Sequence, residues 1–140
     1  MGRRPDPYTE AMTILIGYLP APEGEAALET AFAEAKLRNT DVVVLNSPRR
    51  GTTDSITQIQ QEDAERILAQ ASEHGVTARV EQPAHEDDLV QTLNEWAEQE
   101  DADLIVIGLR KRSAIGKFIL GSQAQRILLE ADVPVLTVKA

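Results

Sequence analysis

The chain has 140 residues and a mass of 15.3 kDa, room for one ordinary domain. Its hydrophobic share of 42% is enough to build a core without cross-links, and the lack of cysteine excludes disulfides, thiol catalysis, iron–sulfur clusters and zinc fingers. With 23 acidic residues against 14 Lys and Arg, the formal charge of −9 repels nucleic acid and anionic lipid, so neither is an expected partner and any anion site must be local.

The chain reads as a single domain over 1–140, of which residues 1–10 are a polar N-terminal tail. Pro5 and Pro7 interrupt the tail, and no stretch has the pattern of a signal peptide or a membrane span, which makes the cytoplasm the expected compartment. Met12-Thr-Ile-Leu-Ile-Gly-Tyr18 is a short apolar run closed by Pro20 and Pro22, predicting a buried first strand. From Glu23 onward, Ala27, Leu28, Ala31, Phe32 and Ala35 recur at helical spacing. Asp41-Val-Val-Val-Leu-Asn46 is β-branched and too short for a helix, so it predicts the second strand.

The stretch from Pro48 to Asp54 has no periodicity and predicts a loop, with Asp54 or Ser55 capping a second helix that runs from about Ile56 to His74 and stops at Gly75. Val76 to Gln82 alternates apolar and polar residues, the period of a half-exposed edge strand. The acidic run Glu86-Asp87-Asp88 beside His85 reads as a helix first turn rather than a metal cluster, and His74 as a C-terminal dipole partner. Leu89, Val90, Leu93, Trp96 and Ala97 mark the third helix, with Trp96 at a packing position. Leu104 to Gly108 predicts a buried fourth strand, Phe118 to Ala131 a fourth helix, and Val133 to Val138 a last strand in which Pro134 favours an edge.

Strands alternating with helices, several of them apolar throughout, predict an α/β fold: one open, doubly wound parallel sheet of five strands with four helices. In such sheets ligands bind beyond the carboxyl ends of the strands, near the switch point of the topology. The segment from Gly108 to Gln125 is therefore the one to weigh for chemistry. Arg110, Lys111, Arg112 and Lys117 reverse the local sign of an acidic chain, and Gly121-Ser122 lies where a helix N-terminus presents backbone N–H groups. Gly108 and Gly121 read either as packing glycines or as a phosphate cradle.

This segment resembles the nucleotide loop of the universal stress protein family: Gly, two residues, Gly, nine residues, Gly, then Ser or Thr. Gly108 takes the first place, Lys111 stands where the second Gly would be, and Gly121-Ser122 takes the last two. Ile14-Leu-Ile-Gly17, Glu25-Ala-Ala-Leu28, Ala102 to Gly108 and Val133 to Lys139 extend the resemblance along the chain. It implies strand order 3-2-1-4-5, a homodimer in which the last strand meets its copy with Val135 and Val138 near the contact, and in some members bound ATP. The chain departs from nucleotide-binding members at Lys111, which either blocks or pairs with phosphates, and at Leu19-Pro20-Ala21, where those members carry an Asp that meets adenine.

The candidate phosphate contacts are Gly108, Arg110, Lys111, Gly121, Ser122 and Gln123, and the candidate crevice residues are Gly17, Tyr18, Leu19, Asn46, Ser47 and Arg49. The expected ligand is ATP, AMP or another nucleotide, with or without magnesium, and no transition metal is expected. No nucleophile elbow, Walker phosphate loop or paired-histidine motif is present, so no catalytic residue is assigned and slow nucleotide hydrolysis is the most that positioning would supply. The reading is a stress-response binding module acting through dimer or partner contacts. The alternative is a ligand-independent dimeric interaction protein whose pocket has degenerated.

Overall fold

The computed structural model describes residues 13–47, 59–83, 88–110 and 121–140. They form β1 (Thr13–Gly17), α1 (Pro22–Arg38), β2 (Val42–Leu45), α2 (Gln61–Glu73), β3 (Ala78–Glu81), α3 (Leu89–Gln99), β4 (Ala102–Leu109), α4 (Ser122–Glu130) and β5 (Val135–Lys139). The sheet has the order β3-β2-β1-β4-β5, and every neighbouring pair is parallel, as expected from the sequence.

Each apolar strand feeds two cores because successive side chains point to opposite faces. Ile14, Ile16, Val42, Val44, Leu104 and Val106 pack with Ala27, Leu28, Ala31 and Phe32 of α1 and with Ile67 and Ala71 of α2. Leu15, Val43, Leu45, Ile105 and Ile107 pack on the other face with Val90, Leu93 and Ala97 of α3 and Ile127 of α4. Both faces are thus covered, which is why these strands read as continuous apolar runs rather than as alternation. Phe32 is fully buried, and a side chain of that size contributes up to about 3 kcal/mol on leaving water.

Several element boundaries differ from the sequence reading, each for a physical reason. The second helix begins at Gln61 rather than near Ile56. Gln60 is its N-cap and forms a reciprocal capping box with Asp63, while the backbone N–H of buried Ile59 donates to the Asn46 side chain and draws the chain toward the end of β2. The expected caps Asp54 and Ser55 lie outside the described residues. The fourth helix starts at Ser122, since Gly121 before it is extended at φ −67° and ψ 167°; Phe118, the expected start, lies outside the described residues. The last strand starts at Val135, so Val133 and Pro134 precede it; Pro134 has no N–H to give, but its carbonyl accepts from Ile105 at 2.9 Å. The edge position of β5 therefore follows from the sheet order and not from a proline inside the strand.

Two other sequence expectations find their place in these contacts. Asp88 caps α3, accepting from the N–H groups of Val90 and Gln91, and Arg126 beside it holds its carboxyl below the usual carboxylate range. His85 lies outside the described residues. His74 ends α2, and its ring also reaches Glu29 of α1 at 3.4 Å and tilts over Phe32 at 5.8 Å between ring centres. Gly75 follows with φ +73°, the left-handed turn that glycine makes freely.

Candidate functional site

The neighbours β1 and β4 are followed by helices that leave to opposite faces, α1 to one and α4 to the other. Their carboxyl ends therefore open a crevice at the switch point of the sheet. A cavity of about 360 Å³ occupies it, within the size range of small-molecule sites. Gly17, Tyr18 and Leu19 line it from the end of β1; Ile107, Gly108, Leu109 and Arg110 from β4; and Gly121, Ser122, Gln123, Ala124 and Ile127 from α4. Leu45 and Ser47 close it beside β2, Leu89 and Leu93 from α3, and Glu23 and Gly24 from α1.

The two glycines that frame the basic loop play different parts. A Cβ on Gly108 would lie 2.0 Å from the Glu23 carbonyl oxygen, so this glycine lets the first turn of α1 rest directly on β4. A Cβ on Gly121 would meet none of the described residues within 4 Å. Gly121 is the N-cap of α4, and helix geometry leaves the N–H groups of residues 122–124 without intrahelical acceptors at the cavity wall. The aligned peptide dipoles add a partial positive charge there, suited to an anion.

The far end of α4 fixes where that N-terminus points. Arg126 of α4 pairs with Asp88 of α3 at 3.2 Å and with Glu130 at 2.9 Å. Asn94 of α3 donates to the Glu130 carbonyl at 3.0 Å and accepts from the Asp132 N–H at 2.9 Å. The Arg126–Asp88 pair and the two Asn94 hydrogen bonds tie α4 and the turn after it to α3, which sets the direction of the α4 amides at the cavity.

On the other side of the crevice, Tyr18 belongs to the framework as much as to the wall. It is 2% exposed, its hydroxyl donates to Glu25 at 2.6 Å, and Arg66 of α2 holds the same carboxylate at 3.0 and 3.1 Å. Burial first, and then the Glu25 carboxylate, raise the Tyr18 pKa above the usual tyrosine range. The Glu25 hydrogen bond likewise raises Arg66.

Asn46, expected to line the crevice, is not among the cavity residues. It is fully buried, donates to the Tyr18 carbonyl at 3.0 Å, and accepts from the Ile59 N–H at 3.3 Å and from Gln82 at 3.1 Å. Its side chain therefore knits the ends of β1 and β2 to the approach of α2. Leu19 lies at the cavity and is 45% exposed. Arg110 is 62% exposed, and its Nε lies 3.8 Å from Glu23. Lys111 and Arg49 lie outside the described residues.

Sequence reasoning missed Glu23 and Gly24. An acid in a helix first turn reads as a dipole partner and nothing more. Gly24 did carry a signal, because glycine inside a helix costs about 1 kcal/mol and asks for a reason. The reason is close approach: a Cβ there would fall 1.8 Å from the Leu19 carbonyl oxygen.

The fold and crevice define a doubly wound α/β domain with a small-molecule cavity at its switch point. The model of the universal stress protein family matches residues 11–139. A universal stress protein of Mycolicibacterium smegmatis is 36% identical over 126 residues, covering 90% of this chain and 96% of that protein. The chain belongs to the universal stress protein family. Among solved structures, a universal stress protein from Archaeoglobus fulgidus is 28% identical with a TM-score of 0.75, covering 92% of this chain and 98% of its own. A universal stress protein structure from the same organism, in complex with dAMP, has the same fold at 24% identity and a TM-score of 0.71, over the same shares of the two chains.

Proposed function

We propose that this chain is a binding module of its family that takes a nucleotide in the switch-point cavity and acts through contacts with a second copy or another partner. The observation that carries the reading is the N-terminus of α4 on the cavity wall, where Gly121 has none of the described residues crowding it and the amides of residues 122–124 point a partial positive charge at a cavity otherwise walled largely by aliphatic side chains. Such a site suits a ligand with a flat apolar part and an anionic group. The dAMP held by the Archaeoglobus fulgidus relative has both. Ser122 and Gln123 lie beside those amides as further phosphate contacts, and Lys111 and Arg49 are proposed contacts from segments outside the described residues.

The edge strand supports the second copy. Val135, Leu136, Thr137 and Val138 of β5 are all only half-buried, with Val135 on the α3 side and Leu136 and Val138 on the α1 side. An edge with apolar residues on both faces is a surface that a two-fold copy would cover.

Titration calorimetry of nucleotide-stripped protein with ATP and AMP, each with and without magnesium, tests the reading. Saturable heat is expected, together with a melting temperature that climbs with ligand concentration by mass action. Light scattering on the same sample is expected to give twice the mass of 15.3 kDa. No heat and no thermal shift at millimolar nucleotide would overturn the ligand reading, and a monomer at micromolar concentration would overturn the dimer.

A further inference from the structure

Glu23 and Arg110 are the only charged side chains among the described residues that line the cavity. They differ in setting: the Glu23 side chain is 14% exposed and that of Arg110 62%. Their closest approach, 3.8 Å, is too long for a hydrogen bond. The Glu23 carboxylate is thus withdrawn from water beside a loose ion pair.

Its position is also fixed from beneath. The Glu23 carbonyl rests on Gly108, and the next residue, Gly24, rests on the Leu19 carbonyl, at approaches that any Cβ would forbid. The backbone that carries the Glu23 side chain is therefore clamped between the ends of β1 and β4, on the wall of the cavity. A carboxylate offers about four acceptor sites and gains most from donors that replace its lost water. The α1 dipole offsets part of the cost of this charge but supplies no donor to the oxygens.

We propose that Glu23 is a specificity-determining residue of this cavity, selecting a ligand whose pentose carries vicinal hydroxyl groups that donate to its carboxylate. Two adjacent hydroxyls match the spacing of two carboxylate oxygens, and a carboxylate accepting from ribose is an established solution in doubly wound sheets. Arg110, exposed and loosely paired, is free to stay beside the carboxylate or to turn toward the ligand's anionic group. This inference rests on the nucleotide reading of the cavity and adds to it the part of the nucleotide that is discriminated.

Calorimetric titration of AMP and of 2′,3′-dideoxy-AMP into the wild type, Glu23→Ala and Glu23→Gln proteins provides the test. The wild type is expected to prefer AMP by about tenfold or more, the usual worth of hydrogen bonds to a charged group. Glu23→Ala is expected to bind both nucleotides alike, and Glu23→Gln, whose amide oxygen still accepts, to regain part of the preference. Melting temperatures within a few degrees of wild type would establish that both variants fold. A preference that survives in Glu23→Ala, or a wild type that binds both nucleotides equally, would overturn the selector while leaving the cavity assignment standing. A wild type that binds neither nucleotide would overturn the nucleotide reading and this inference with it.

Discussion

Gly108 and Gly121 bound the same loop, yet one is pressed against backbone and the other, among the described residues, lines the cavity with no neighbour where a Cβ would be. A side chain at 108 would collide with the backbone of α1, and a side chain at 121 would enter the cavity. A glycine in a binding motif can thus serve framework or ligand, and only the atoms around the missing Cβ tell which. The division extends beyond the loop. Tyr18, Gly24, Asn46 and Gly108 build the frame that sets the strand ends, α1 and the approach to α2 against one another, whereas Gly121, Ser122 and Glu23 lie on the cavity wall, where the proposed ligand would meet them.

The largest effect is expected at Gly108. Gly108→Ala places a methyl group 2.0 Å from a backbone oxygen that cannot rotate away, so α1 must shift bodily. Overpacking of this kind costs about 3 kcal/mol, which lowers the melting temperature of a domain this size by roughly 10 °C. A thermal melt within a degree or two of wild type would move Gly108 out of the frame and back to a ligand role.

Tyr18 gives a smaller effect with a pH signature. Its folded pKa is raised, by burial first and by Glu25 next, so its hydroxyl stabilises the fold fully below the unfolded tyrosine pKa of about 10. That contribution is lost as pH rises from there through the folded value. Tyr18→Phe is therefore expected to be less stable than wild type by about 1 kcal/mol at pH 7, with the gap narrowing above pH 10 in urea unfolding curves. A gap that stays constant to pH 11 would mean the hydroxyl is not held as described.

Much of the frame was legible along the chain because its signals are local. The apolar runs at Ile14, Val42 and Leu104 announced strands covered on both faces, and Ala27 through Ala35 announced the buried stripe of α1. The caps were less legible where long-range contacts decide them: Ile59 is drawn to Asn46, a residue 13 positions earlier, and this sets the start of α2 at Gln61. The same contact helps explain why Asn46, expected in the crevice, is engaged elsewhere. A polar residue at the end of a strand looks available for a ligand until its partners Tyr18, Ile59 and Gln82 are seen.

At the site, Gly121 and Ser122 were legible from the spacing of a loop that ends in a helix, and the structure places both on the cavity. The place of Glu23 on the cavity wall was hidden because it depends on α1 resting on Gly108, a contact between residues far apart in the chain. Leu89 and Leu93 were read as core positions of α3, and they are that, but the same side chains also form the apolar wall.

The contrast between the two glycines is tested most directly by measuring stability and nucleotide affinity together in Gly121→Val. Gly121 adopts a φ open to any residue and has no neighbour among the described residues for a new side chain to strike, so the variant is expected to lose at most about 1 kcal/mol of stability, the cost of a poorer N-cap. AMP binding is expected to fall at least tenfold, because the added side chain occupies the approach to the α4 amides. A variant that melts like wild type and binds AMP with undiminished affinity would contradict the account, since the space above Gly121 would then not be where the ligand lies.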